Sequence, residues 1–119
     1  MKVIALTGTC TSGGALTMTS TERVVGYVEK VVMDYVDGAT GSDIVLTCEA
    51  NTSEPILTKA DLGTSDAVFY PRTLANKVAD GAAFTDVAER IFVAGTFKAV
   101  IAQGGDTKIF KFIVYVSDE

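Results

Sequence analysis

Apolar residues recur at every second position through most of this 119-residue chain, and no long helical period appears anywhere. A period of two is the signature of a strand with one buried face. It is clearest between Ile91 and Val116, IFVAGTFKAVIAQGGDTKIFKFIVYV. Phe97, Ala99 and Ile101 fall on one face of the first run. Phe110, Phe112, Val114 and Val116 share a face of the second, with Ile109, Lys111, Ile113 and Tyr115 opposite. Gln103-Gly104-Gly105-Asp106 between them is expected to turn a tight hairpin, because glycine accepts positive φ. Neither run is stable alone in water, so the rest of the chain must cover the phenylalanine face.

In chain order, Lys2–Leu6 reads as a short strand, Thr9–Gly14 as a loop of small residues, and Ala15–Ser20 as a half-buried strand. Arg23–Val36 is the longest β-prone run. The turn Asp37–Asp43 (DGATGSD) follows, then the clean alternation of Asp43–Ala50, so residues 23–50 are expected to form a second large hairpin. Pro55–Ala60 belongs at a sheet edge, since proline lacks an N–H. Asp66–Tyr70 is a short strand ended by Pro71. Thr73–Phe84 is the least regular part. Leu74, Val78 and Ala82 have helical spacing there, and Thr85–Arg90 reads as a turn or a short helix with Thr85 as N-cap. Together these segments predict a single all-β domain over residues 1–119, an antiparallel β-sandwich or jelly roll of about eight strands. Without long helices there are no βαβ crossovers and no parallel sheet.

At 48% hydrophobic and 21% charged residues, the chain can build a core without covalent staples. Its net charge of −5, with scattered basic residues, argues against nucleic acid, whose phosphates need clustered Lys and Arg. No segment reaches the roughly 20 apolar residues of a membrane helix. The start, MKVIALTGTC, has too short an apolar run for a signal-peptide core, so manufacture and use without secretion are expected. Asn51-Thr52-Ser53 matches a glycosylation acceptor, a pattern without meaning in a protein that is not secreted. Cys10 and Cys48 leave one disulfide arithmetically open, but both lie in apolar, β-like surroundings and are expected to be buried free thiols.

Histidine is absent. That removes the commonest general base, the Ser–His and Cys–His nucleophile pairs, and His-ligated zinc. Asp34, Asp37 and Asp43 flank one loop and could in principle hold Ca²⁺, but their spacing is not that of an EF-hand, and turn-forming Asp explains them. By parity Glu29 and Asp34 point to opposite faces of one strand, which separates them as an acid/base pair. Thr11-Ser12-Gly13-Gly14 lacks the lysine and helix of a phosphate loop and reads as a turn. No enzyme activity, cofactor or metal is expected.

What remains is surface. Val28, Val32 and Val36 share one face of the long strand by parity, and Ile109, Ile113 and Tyr115 share the less aromatic face of the last. A solvated sheet face should be mostly polar, so these residues are candidates for contact with a partner. Phe69-Tyr70-Pro71-Arg72 admits two readings. One is a contact site anchored by Tyr70 and Arg72; the other is a strand end, with the tyrosine ring in the core and Arg72 paired to a carboxylate.

The order of these pieces resembles the small virion structural proteins of tailed bacteriophages. The residues that carry the likeness are Asp34-Tyr35-Val36-Asp37-Gly38, the Asp-led strand Asp43–Thr47, Tyr70-Pro71-Arg72, the loop Asp80-Gly81-Ala82-Ala83, and the turn Val100-Ile101-Ala102-Gln103-Gly104-Gly105. It spans roughly residues 20–117. The resemblance implies a capsid cement or decoration protein, a β-sandwich or jelly roll that binds the outside of an assembled head and bridges neighbouring major capsid proteins. It further implies synthesis in the host cytoplasm, residence on the capsid exterior, no active site, and copies associated as dimers or trimers. A tail, neck or receptor-binding module is the alternative within the same class. A carboxylate-based enzyme, which would need two acids converging in a pocket, is the alternative outside it.

Overall fold

The structure is a computed structural model that describes residues 1–49 and 54–118; the Asn51-Thr52-Ser53 pattern lies outside the described residues. Ten strands run in order: β1 (Lys2–Thr9), β2 (Leu16–Thr19), β3 (Val24–Met33), β4 (Ser42–Cys48), β5 (Leu57–Leu62), β6 (Ala67–Phe69), β7 (Arg72–Asn76), β8 (Ala83–Gly95), β9 (Phe97–Ala102) and β10 (Ile109–Ser117). They form two antiparallel sheets. The six-stranded sheet has the order β1-β10-β3-β8-β7, with β6 also paired to β3; the four-stranded sheet has the order β2-β9-β4-β5.

The two sheets pack face to face. Phe97, Ala99 and Ile101 of β9 and Ile44 and Leu46 of β4 line one inner face; Phe112, Val114, Val116, Leu6, Val28 and Val31 line the other, all essentially without exposed surface. The alternation in β9 and β10 thus assigns their faces correctly. The expected pairing does not hold. β9 and β10 lie in different sheets, so the Gly104-Gly105 segment is a crossover between layers and not a hairpin. The same is true of β3 and β4, which residues 34–41 carry from one sheet to the other. In both cases a strand buries its apolar side against the opposing sheet as well by crossing to the other layer as by pairing beside its neighbour, so alternation alone does not fix the pairing.

These crossovers meet over one ring. A Cβ on Gly38 would sit 2.4 Å from Phe110 Cζ, and one on Gly104 would sit 2.7 Å from Cys10 Sγ and 2.8 Å from the Phe110 ring. The Gly104 N–H donates to the Gly14 carbonyl (2.8 Å), and the Ala39 N–H donates to the Gly104 carbonyl (3.0 Å). The small-residue loops that read as flexible turns are therefore one hydrogen-bonded cap closing this end of the sandwich. Cys10 is buried beneath it and Cys48 is buried in the core; both are free thiols. Burial, with the nearby charge of Asp37, pushes the Cys10 thiol above its ordinary pKa.

The long strand β3 holds the main irregularity. Val24, Gly26 and Val28 point inward, Glu29 and Lys30 both point outward, and Val31 and Met33 point inward again. The register against β10 shifts at the same place: Tyr115 faces Lys30, and Val116 faces Val28. Glu29 is the extra residue of a β-bulge. Beyond it the strand's other edge changes partner, from β8 (Val24–Val28) to β6 (Val31–Met33). Because β6 occupies that edge, β8 leaves the sheet before Ile91, and its earlier residues pair only with β7 among the described residues. The segment 73–90, expected to be partly helical, is instead a projecting two-stranded ribbon with a turn at Lys77–Ala82.

Replacing Gly38 with alanine should lower unfolding free energy by about 1–3 kcal/mol, the usual range for overpacking against a fixed ring. Gly63→Ala, where nothing lies within 4 Å of the new carbon, should stay within about 0.5 kcal/mol of the parent. Equilibrium denaturation in urea compares the two.

Candidate functional site

The bulge corrects the expected face of β3. Val28 is fully buried, with 0% exposure, and belongs to the core. Val32 points outward and is half-buried, while Val36 lies beyond the strand in the crossover and is exposed. The three do not share a face, because one inserted residue reverses parity. For the same reason Glu29 and Asp34 lie on the same outward side of β3, contrary to the parity argument. They hold different partners: Glu29 pairs with Arg90, and Asp34 with Lys111 at 3.6 Å.

The outer face of the six-stranded sheet carries an apolar row. Ala5, Ile113, Val32 and Val68 stand directly opposite one another across β1, β10, β3 and β6. One row along, Val3, Tyr115 and Lys30 are neighbours, with the Lys30 ammonium 4.7 Å from the centre of the Tyr115 ring. On the other side Lys111 separates Ile113 from Ile109, which is exposed at the start of β10. Toward the other end of the sheet, Phe92 of β8 is 58% exposed and packs edge-on against Tyr27, ring centres 5.5 Å apart. Val25 lies exposed beside them. Sequence reasoning found Val32, Ile113 and Tyr115 but missed Val3, Val68 and Phe92. Parity places Phe92 opposite Val93, but only the strand order brings it beside Tyr27.

A polar cluster divides the two apolar areas. Arg90 bonds Glu29 and donates to the Ser117 hydroxyl (3.2 Å), while that hydroxyl donates to Glu29 (3.1 Å). Its guanidinium also lies 4.7 Å over the Tyr27 ring. The Arg90 hydrogen bond holds the Glu29 carboxyl below its ordinary pKa, against desolvation that raises it; Ser117 and the charges of Arg90 and Arg72 add to the lowering.

Arg72 occupies the gap on the edge of β3 between β8 and β6. Its Nη1 donates to the carbonyls of Pro71 (2.7 Å), Glu29 (3.3 Å) and Val28 (3.5 Å). A guanidinium thus satisfies backbone acceptors where the ladder changes partner. The strand-end reading of Tyr70-Pro71-Arg72 needs two corrections. Pro71 is the buried member, whereas Tyr70 is exposed at 64%; and Arg72 binds carbonyls in place of a carboxylate. The ring is outside because β6 ends at Phe69 and the chain turns away to enter the ribbon.

The three loop aspartates serve separate structural ends. Asp37 accepts the Ile109 N–H (2.7 Å) and Asp43 accepts that of Asp61 (3.1 Å), while Asp34 faces Lys111. Among the described residues no cluster of three His, Cys, Asp or Glu side chains could hold a metal ion. A groove of about 370 Å³ at the foot of the ribbon is lined by Cys48, Ile56, Ile91 and Phe92, with Glu54 and Thr73 as its polar borders. Comparison with protein-family models, curated proteins and solved structures finds no match to this chain.

Glu29→Gln provides a pH-resolved test of the polar cluster. A carboxylate whose folded pKa is depressed stabilises the fold above the ordinary carboxylate range, near pH 4.3, and loses that contribution as pH falls through the folded value. The melting temperatures of parent and variant should differ most near neutrality and converge in acid. Thermal melts across that range check this.

Proposed function

We propose that this chain is a capsid cement protein of a tailed bacteriophage. It would be made in the host cytoplasm and bound in many copies to the outside of the head, where it bridges major capsid proteins. The observation that carries the docking part is the in-register apolar row Ala5–Ile113–Val32–Val68 on the outer sheet face. A four-strand apolar row facing water is unusual for a sheet with one solvated side, and contiguous apolar surface favours association. The assignment to a capsid rests on the sequence resemblance described above. A scaffold role also suits this row of aliphatic side chains.

In this proposal Val32 and Ile113 sit at the centre of the contact and Tyr115 at its side, with Ile109 and Val36 at the margin. Arg72 contributes by fixing the bulge that turns Val32 outward, and Val28 contributes through the core alone.

The test is co-sedimentation of the purified protein with expanded capsids that lack it. Saturable binding at a fixed ratio to the major capsid protein is expected. Val32→Asp should weaken that binding by at least roughly 100-fold, since sealing an unpaired carboxylate in an apolar contact costs several kcal/mol. The half-buried position should leave the melting transition of the free protein nearly unchanged. Failure of the parent to bind heads, with recovery in tails or necks, replaces the cement role with that of a tail module. Undiminished binding by Val32→Asp removes this face from the contact.

A further inference from the structure

We infer that the β7–β8 ribbon is an assembly arm that adds, strand to strand, to the free edge of β1 in a second copy of this chain. The inference concerns self-association and is independent of the capsid proposal.

The ribbon lacks what a β-hairpin needs. Thr73–Glu89 pairs only with itself among the described residues, and an isolated two-stranded hairpin is marginal in water. It nevertheless exposes Leu74, Val87 and, at the tip, a wholly solvent-facing Val78. Its turn is well built: the Lys77 N–H donates to the Ala82 carbonyl (2.8 Å), the Asn76 amide to the Gly81 carbonyl (2.7 Å), and Asp80 accepts the Ala82 N–H (3.0 Å). A ribbon with an ordered tip, apolar sides and two unpaired edges is shaped for addition to another sheet.

The edges on offer are unequal. β2 is four residues long and β6 three. β5 carries Lys59 and Asp61, the latter at φ 56°, and its register against β4 shifts, which are features that discourage edge pairing. β1 has none of these protections. It is eight residues long, contains no proline, has no charge between Val3 and Thr9, and pairs with β10 along its whole length. The Cys10 N–H reaches the Lys108 carbonyl on the β10 side (2.8 Å). By the period of two, the N–H and C=O groups of Val3, Ala5 and Thr7 therefore face away from β10, on the side where no strand pairs with β1 among the described residues.

Charge and topology select a second copy as the occupant. The ribbon Arg72–Arg90 holds three basic and three acidic residues, so the net charge of −5 resides entirely on the remainder. Two acidic bodies repel, but a neutral arm can approach an edge whose one charged residue, Lys2, is already balanced by Glu22 (2.6 Å). β1 and β7 also terminate opposite ends of the same sheet. Each copy thus offers a donor edge and an acceptor edge that cannot meet within one molecule. That is the condition for a head-to-tail contact repeating into a ring or a chain.

The experiment is sedimentation velocity over a concentration series of purified protein without capsids, paired with residue-resolved amide hydrogen exchange. The parent should self-associate, and the exposed-site variant Leu74→Asp/Val87→Asp should associate at least tenfold more weakly with an unchanged melting temperature. In the associated parent the Val3, Ala5 and Thr7 amides should exchange at least tenfold more slowly than in that variant. Val32→Asp, which alters the sheet face and not its edges, should self-associate like the parent, so the two proposals can fail separately. A parent that stays monomeric throughout, association unaffected by the ribbon variant, or odd-numbered β1 amides exchanging equally in both proteins each overturns the inference.

Discussion

One strand with two successive partners on the same edge shapes this protein. β10 accompanies β3 through most of its length on one side, while β8 and then β6 share the other. The handover requires a break, and the Glu29 bulge supplies it. Backbone acceptors left at a break inside a sheet are unfavourable unless something donates to them. The Arg72 guanidinium does so, and Arg90, Glu29 and Ser117 form the polar junction beside it. Two larger features depend on this handover. Val32 faces outward because parity reverses at the bulge, and the ribbon exists because β6 displaces β8 from the rest of the edge.

The apolar row and the ribbon are thus products of one local event, although they lie in different parts of the sheet. This bears on how the surface functions. The outer face carries an apolar row, suited to burial against another apolar surface. The ribbon offers hydrogen-bonding edges, which match only another strand. A protein presenting both can make two chemically distinct contacts at once.

Much of the fold was legible from the period of two, and the failures share a cause. Alternation in Phe97–Ile101 and Phe110–Val116 tells which side of each strand is buried but not which strand lies beside it. A Gly-Gly segment suits a hairpin and a layer crossover equally, so the sheet assignment of β9 and β10 could not follow from it. Parity along Arg23–Val36 assumed an unbroken period, and a single inserted residue misplaced Val28 and misjudged Glu29 relative to Asp34. Residues 73–90 bury almost nothing, so no hydrophobic period marked them as strands, and the spacing of Leu74, Val78 and Ala82 was incidental. Of the surface, Ile113 and Tyr115 were readable because β10 is regular. Val3, Val68 and Phe92 joined them only through pairing between segments distant in sequence.

The pairing of β1 with β10 has a temporal consequence. Lys2 lies opposite Val116, so β1 leaves the ribosome long before β10, the partner it needs. Until β10 arrives, β1 is a mobile, nearly uncharged segment with both edges open, and closing so long a loop is entropically slow work. A nascent chain in that interval is most vulnerable to pairing with its neighbours on the same message. The glycine-capped crossovers, once closed over Phe110, end that interval by fixing β10 where β1 can meet it.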